Sequence, residues 1–140
     1  MYILRTNQSF DSAHFLAGYE GKCRNIHGHR WTVEVEIGSE ELCEEGQLRG
    51  MCVDFSTLKE DLKKEVDFFD HSLIIENGAL KDKTIDALRE EDFSLKIVDF
   101  RPTAENFAKY FYDKFRERGY RVNKATVYET PSNCASYCEE

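Results

Sequence analysis

Lys22-Cys23-Arg24-Asn25-Ile26-His27-Gly28-His29-Arg30-Trp31 is the stretch on which the reading of this chain turns. It holds one thiol and two of the four histidines, and it runs straight into Thr32-Val33-Glu34-Val35-Glu36-Ile37. Trp31, Val33, Val35 and Ile37 alternate with Thr32, Glu34 and Glu36, the two-residue period of a strand with one buried face. Side chains two apart in an extended chain share a face. A strand that begins early enough therefore points His27 and His29 the same way. Two imidazoles on one face can share a metal ion, and Gly28 between them leaves the other face open. The stretch reads as half of a zinc site with a reactive cysteine four residues ahead of it.

Working outward, the 140 residues suit one domain, 1–140, large enough to bury a core yet small enough to gain from oligomerisation. Hydrophobic residues make up 41% and charged residues 33%, a globular composition. No apolar run reaches membrane-span length, and Met1-Tyr2-Ile3-Leu4-Arg5 lacks the layout of a signal peptide, so the cytoplasm is the expected compartment and no membrane partner is expected. The net charge of −8 argues against a nucleic-acid partner, because phosphate-backbone affinity needs clustered Lys and Arg. It leaves room for a small anionic substrate in a local basic pocket. The five cysteines, at 23, 43, 52, 134 and 138, are odd in number and lack CxxC spacing, so thiols are expected rather than disulfides or a four-cysteine zinc site.

Residues 3–10 read as a first strand, with a bulge or strand end over Asp11 to Phe15. Leu16 to Arg24 is a loop, Trp31 to Ile37 the clearest strand, and Gly38 to Gly50 acidic and turn-like. Asp54 or Ser56 can cap a helix whose stripe is Leu58, Leu62 and Val66. Lys81 to Glu91 reads as a short helix with Ile85 and Leu88 inward, and Ser94 to Phe100 as a strand. Pro102 and Thr103 start a last helix with the stripe Phe107, Tyr110, Phe111 and Phe115, and Gly119 ends it. Val122 to Glu129 is the final strand, and Thr130 to Glu140 reads as turn-like. Strands and helices alternate in hairpin-like blocks, which predicts an α+β fold with an antiparallel sheet.

Four groups carry chemistry. His14, on the turn after the first strand, comes beside His27 and His29 if the first two strands form a hairpin; three imidazoles with an open fourth position are the pattern of catalytic zinc. A histidine on its own is more often a satisfied surface or core residue. Cys23 is flanked by Lys22 and Arg24, cations that favour the thiolate, although most loop cysteines are inert. Asp70-His71 can pair an imidazole with an orienting carboxylate, but side chains at i and i+1 meet only across a turn. Glu129 ends an apolar strand, where it is either an ordinary exposed carboxylate or an acceptor for the N–H groups of an aminopyrimidinone ring.

Together these residues resemble the 6-pyruvoyl-tetrahydropterin synthase / 6-carboxytetrahydropterin synthase family over nearly the whole chain. The matching pieces are Phe10-Asp11-Ser12-Ala13-His14, Cys23-Arg24-Asn25-Ile26-His27-Gly28-His29, Gly50-Met51-Cys52-Val53-Asp54-Phe55, Phe69-Asp70-His71, Pro102-Thr103-Ala104-Glu105-Asn106 and Val127-Tyr128-Glu129-Thr130. The resemblance implies the tunnelling fold (T-fold), an antiparallel sheet with helices on one face, whose sheets close into a barrel as a homo-oligomer, trimer or hexamer, with active sites between subunits. Closing the sheet would remove exposed edges.

Only Arg24, Asn25 and Ile26 separate Cys23 from His27, which resembles the bacterial carboxy-type branch of queuosine and 7-deazapurine biosynthesis, and the branch with Glu in place of Cys23 is not this one. The implied enzyme is a zinc-dependent lyase, a 6-carboxy-5,6,7,8-tetrahydropterin synthase acting on 7,8-dihydroneopterin triphosphate with release of acetaldehyde and triphosphate. Carried over by position, His14, His27 and His29 would hold Zn2+ and Cys23 would be the base. Asp70 and His71 would relay protons from a neighbouring subunit. Glu129 would anchor the pterin, helped by Thr103 and Glu105. Two other readings stand beside this one: a 6-pyruvoyl-type synthase, and a non-catalytic zinc- or pterin-binding assembly protein. The segment between Ile74 and Pro102 is longer than in compact members of the family, and Phe69 stands before Asp70 where leucine is usual.

Overall fold

The computed structural model describes residues 1–140. Two long strands organise it. β1 (Tyr2–His14) and β2 (His27–Ser39) pair antiparallel in unbroken register from Tyr2↔Ser39 to His14↔His27. The expected interruption after Phe10 is absent: Asp11, Ser12 and Ala13 pair with Arg30, His29 and Gly28. Each strand is therefore longer at the histidine end than its hydrophobic alternation shows, because polar residues there are paired by backbone rather than by an apolar face.

There are three helices, α1 (Phe55–Asp67), α2 (Asp82–Glu90) and α3 (Ala104–Glu117); α1 and α3 cover the core face of the sheet, and α2 packs at the end formed by Ser72–Glu76 and Leu95–Val98, where Leu88 lines a hollow with Ala13, Leu73 and Leu95. Asp54 caps α1 by accepting from the Ser56 N–H at 2.7 Å, and Thr103 caps α3 by accepting from the Asn106 N–H at 3.3 Å. α1 buries Leu58, Leu62 and Val66, as its spacing predicts; α3 buries Phe107, Phe111 and Phe115 together with Ala104, Ala108 and Tyr112, while Tyr110 stays half-buried at the edge. These side chains meet Phe10, Trp31, Val33, Val35, Ala125 and Val127 in one continuous core. α2 differs from its expectation: Ile85 and Leu88 are only half-buried and the helix buries no residue.

The remaining strands are β3 (Ser72–Glu76), β4 (Leu95–Val98), β5 (Val122–Tyr128) and β6 (Cys134–Tyr137), giving the order β4-β3-β1-β2-β5-β6. The four strands β1, β2, β5 and β6 are antiparallel, but β3 runs parallel to β1 and β4 parallel to β3, so the sheet is mixed. Parallel neighbours need a crossover: α2 supplies the one from β3 to β4, and the path from β1 to β3 runs through β2 and α1. β6 lies in the tail expected to be turn-like. The chain reverses over Thr130–Asn133, where the Glu129 N–H donates to the Asn133 carbonyl at 3.0 Å, and Ala135 and Tyr137 then pack against the core. Four residues with a single aromatic are too weak an alternation to announce a strand.

Candidate metal and substrate site

The register settles where the histidines go. His14 pairs directly with His27, and Ser12 with His29, so all three imidazoles share the helix-covered face with Phe10 and Trp31. Ring centroids lie 4.6 Å apart for His14–His27, 5.1 Å for His14–His29 and 4.9 Å for His27–His29. One ligand atom from each falls within 4.8 Å of the other two. Trp31 floors the cluster, edge-on to His14 and His29.

Backbone carbonyls fix which nitrogen of two rings faces inward. His14 Nδ1–H donates to the Pro102 carbonyl at 2.8 Å, and His27 Nδ1–H donates to the Asn25 carbonyl at 2.7 Å. A carbonyl only accepts, so both Nε2 atoms carry lone pairs. With both rings neutral, two acceptors face each other at 3.1 Å. That spacing is close to the ~3.3 Å edge of a tetrahedron whose centre is about 2.0–2.1 Å from each nitrogen, the zinc–imidazole distance. His29 Nε2 is buried with no hydrogen-bond partner. The Trp31 indole N–H is orphaned too, but it is a donor and cannot ligate a cation. Opposed lone pairs beside an orphaned ring nitrogen fit a divalent cation, and carbonyls behind the ligands are the usual outer support of such a site. Burial, with the neighbouring imidazoles adding a smaller effect, pushes His14 down to about 4; burial also lowers His29, against the opposing pull of the Glu129 carboxylate, and both shifts favour the neutral form that can ligate.

Glu129 follows β5 and brings a carboxylate oxygen to 3.4 Å from His29 Nε2. It is not one of the mutually close ligand atoms, so the protein itself offers three. It also lines a polar hollow of about 320 Å³ with Arg30, Thr32, Tyr128, Thr130 and Pro131. Cys23 lies in the single 3-10 turn Lys22–Arg24 within the β1–β2 loop, half-buried, and its carbonyl accepts the Leu16 N–H at 2.9 Å. Thr103 sits one residue past the carbonyl that holds His14, with its hydroxyl spent on the helix cap, and Glu105 is exposed in the first turn of α3.

Asp70 and His71 do meet. His71 has a positive φ of 56°, the turn that lets adjacent side chains converge, and its Nδ1 lies 2.8 Å from Asp70 Oδ2. Asp70 is held from behind by the Asp11 N–H at 2.9 Å, which with His71 lowers its pKa; the Asp70 hydrogen bond raises that of His71. This pair is not part of the imidazole cluster. His71 borders a hollow with Ala13 and Leu73, which pair on the face of the sheet opposite His14.

Any residue supplies a carbonyl, so the Pro102 and Asn25 carbonyls that hold His14 and His27 leave no signal in the sequence. A model of the family described as 6-pyruvoyl tetrahydropterin synthase matches residues 3–140. A protein of Haemophilus influenzae named 6-carboxy-5,6,7,8-tetrahydropterin synthase is 34% identical over 142 residues, covering 99% of this chain and 100% of that one. The solved structure of an uncharacterized protein from Wolinella succinogenes superposes with a TM-score of 0.80 at 23% identity, over 99% of this chain and 98% of that one. The Caenorhabditis elegans 6-pyruvoyl tetrahydropterin synthase superposes with a TM-score of 0.67 at 24% identity, over 99% and 96%.

Proposed function

Because the chain belongs to the 6-pyruvoyl tetrahydropterin synthase family, whose fold it shares, we propose that it is a zinc-dependent 6-carboxy-5,6,7,8-tetrahydropterin synthase. In this reading it converts 7,8-dihydroneopterin triphosphate and one water to the carboxy-pterin with loss of acetaldehyde and triphosphate, in the cytoplasmic route to queuosine and 7-deazapurines. The carboxy-type product is argued from the Haemophilus relative and from the three residues between Cys23 and His27. Five free thiols suit a reducing compartment. The observation that carries the metal-dependent chemistry is the pair of opposed Nε2 atoms at 3.1 Å beside the orphaned His29 Nε2.

His14, His27 and His29 would hold the zinc, which when bound supplies Lewis acidity to the hydroxyls of the substrate side chain. The chain's own residues would do the rest. Cys23 Sγ takes a proton as general base. Glu129 accepts N–H groups of the pterin ring beside His29, with Thr103 and Glu105 helping to position it. The Asp70–His71 pair, on the other face of the sheet, serves the site of a neighbouring copy in a trimer or hexamer. Its imidazolium, stabilised by Asp70, persists to higher pH than a free histidine and suits proton donation at Nε2.

Zinc-loaded protein incubated with 7,8-dihydroneopterin triphosphate should yield carboxy-pterin, acetaldehyde and triphosphate by mass spectrometry. A 6-pyruvoyl product would move the chain to the other branch of the family. Ring binding without triphosphate release would make it a binding protein.

A further inference from the structure

Arg101 has no part in the roles above, yet it touches the loop that carries Cys23 at two points. Its Nη2 donates to the Ala17 carbonyl at 3.2 Å, and its guanidinium carbon stands 5.8 Å from the centroid of the Tyr19 ring. Tyr19 in turn lies against Gly21: a Cβ there would meet the ring at 2.7 Å, closer than side chains pack. Gly21 precedes the 3-10 turn, and its carbonyl accepts the Arg24 N–H at 3.2 Å. The stack of guanidinium, phenol ring and bare glycine backbone thus ends on the turn that holds the thiol. At its other end, the Arg101 carbonyl accepts the Thr103 N–H at 2.7 Å and Asn106 Nδ2 at 2.9 Å. The neighbouring carbonyl, of Pro102, holds His14.

Between His14 and His27 only Phe15 is buried, so burial alone holds this loop weakly. A guanidinium supplies in one group both the fork that reaches a carbonyl and the flat face that stacks on a ring, which an ammonium cannot do. We propose that Arg101 is a positioning residue that, through the Tyr19 ring, sets the Cys23 thiol relative to the three imidazoles. The proposal rests on reading Cys23 as the base.

Two readouts test it. In steady-state turnover of zinc-loaded protein, Arg101→Ala and Tyr19→Leu should each lower kcat about tenfold with KM changed less than about twofold, since small misplacements of a reacting group are costly. Tyr19→Phe should behave as wild type, and the double variant Arg101→Ala/Tyr19→Leu should be no worse than either single. Bound metal should be unchanged. Independently of turnover, iodoacetamide should alkylate Cys23 at least about threefold faster in Arg101→Ala and Tyr19→Leu, with or without metal, and not in Tyr19→Phe. Should Arg101→Ala fail to fold, Tyr19→Leu carries both readouts. Unchanged alkylation in these variants overturns the proposal. So does a rise in KM confined to Arg101→Ala, which would make Arg101 a contact for the substrate's anionic tail. Cys23→Ala, run alongside, separates the two readings: if it turns over normally, the base assignment fails, while the alkylation result still judges Arg101.

Discussion

His14 has its two nitrogens divided between tasks, Nδ1 to the Pro102 carbonyl and Nε2 toward His27. Replacing any one of His14, His27 or His29 by Ala leaves two ligands, and zinc content after dialysis should fall to below roughly a tenth of wild type by elemental analysis. Burial takes the His14 pKa from 6.5 to about 4, so the unfolded chain takes up that proton first. Chelator-treated protein should therefore hold its Tm above pH 6.5 and lose stability as the pH falls from there toward about 4, with His14→Gln flattening the decline. For His71 the sign is opposite, because Asp70 stabilises its imidazolium. Asp70→Asn should bring the His71 titration, followed by the ring Cε1–H resonance, back down toward 6.5. The His-x-His pair was legible because a strand's period places alternate residues together. The closeness of Glu129 to His29 was not, since it depends on the β2–β5 register, which no local pattern specifies.

α3 was legible at the scale of the element: a capping threonine, a proline ahead of it, and phenylalanines at helical spacing. Those phenylalanines are completely buried, and Phe107→Ala should cost about 3–5 kcal/mol in urea unfolding. Thr103→Ala should cost only ~1 kcal/mol as a lost cap. A larger fall in ring affinity in the same variant would reveal its second task, as an aid to Glu129. The β3-α2-β4 unit was harder to read. Lys81 to Glu91 has the period of an amphipathic helix, but period alone does not say whether an apolar stripe meets a partner, and here Ile85 and Leu88 stay half-buried. Nor does a strand declare its direction, so β3 and β4 entered the sheet in parallel where antiparallel pairing was expected.

For the whole molecule, the faces of the sheet divide the proposed chemistry. The imidazoles sit under the helices and the Asp70–His71 pair opens on the other side, so one copy does not assemble both. If neighbouring copies share sites, Cys23→Ala and His71→Ala proteins, each inactive alone, should recover activity when unfolded together and reassembled, up to about a quarter of wild type for random pairing. No recovery would confine all the chemistry to one chain. The polar face of β1 and β2, with Arg5 on Glu36 at 2.7 Å, Ser9 with Thr32 and Arg30 on Asp11, reads in the sequence as ordinary solvent-side residues. Whether such a face meets water or another copy is decided by assembly, which leaves little trace in local pattern.

The unbroken thirteen-residue ladder of β1 against β2 has a further consequence for how this hairpin can change. Inserting one amino acid into β1 just ahead of His14 would turn that imidazole to the polar side and part it from the other two; inserting two would return it. Tolerated length variants of this arm should therefore come in even steps, a parity rule that a small insertion library, scored for retained zinc, would expose.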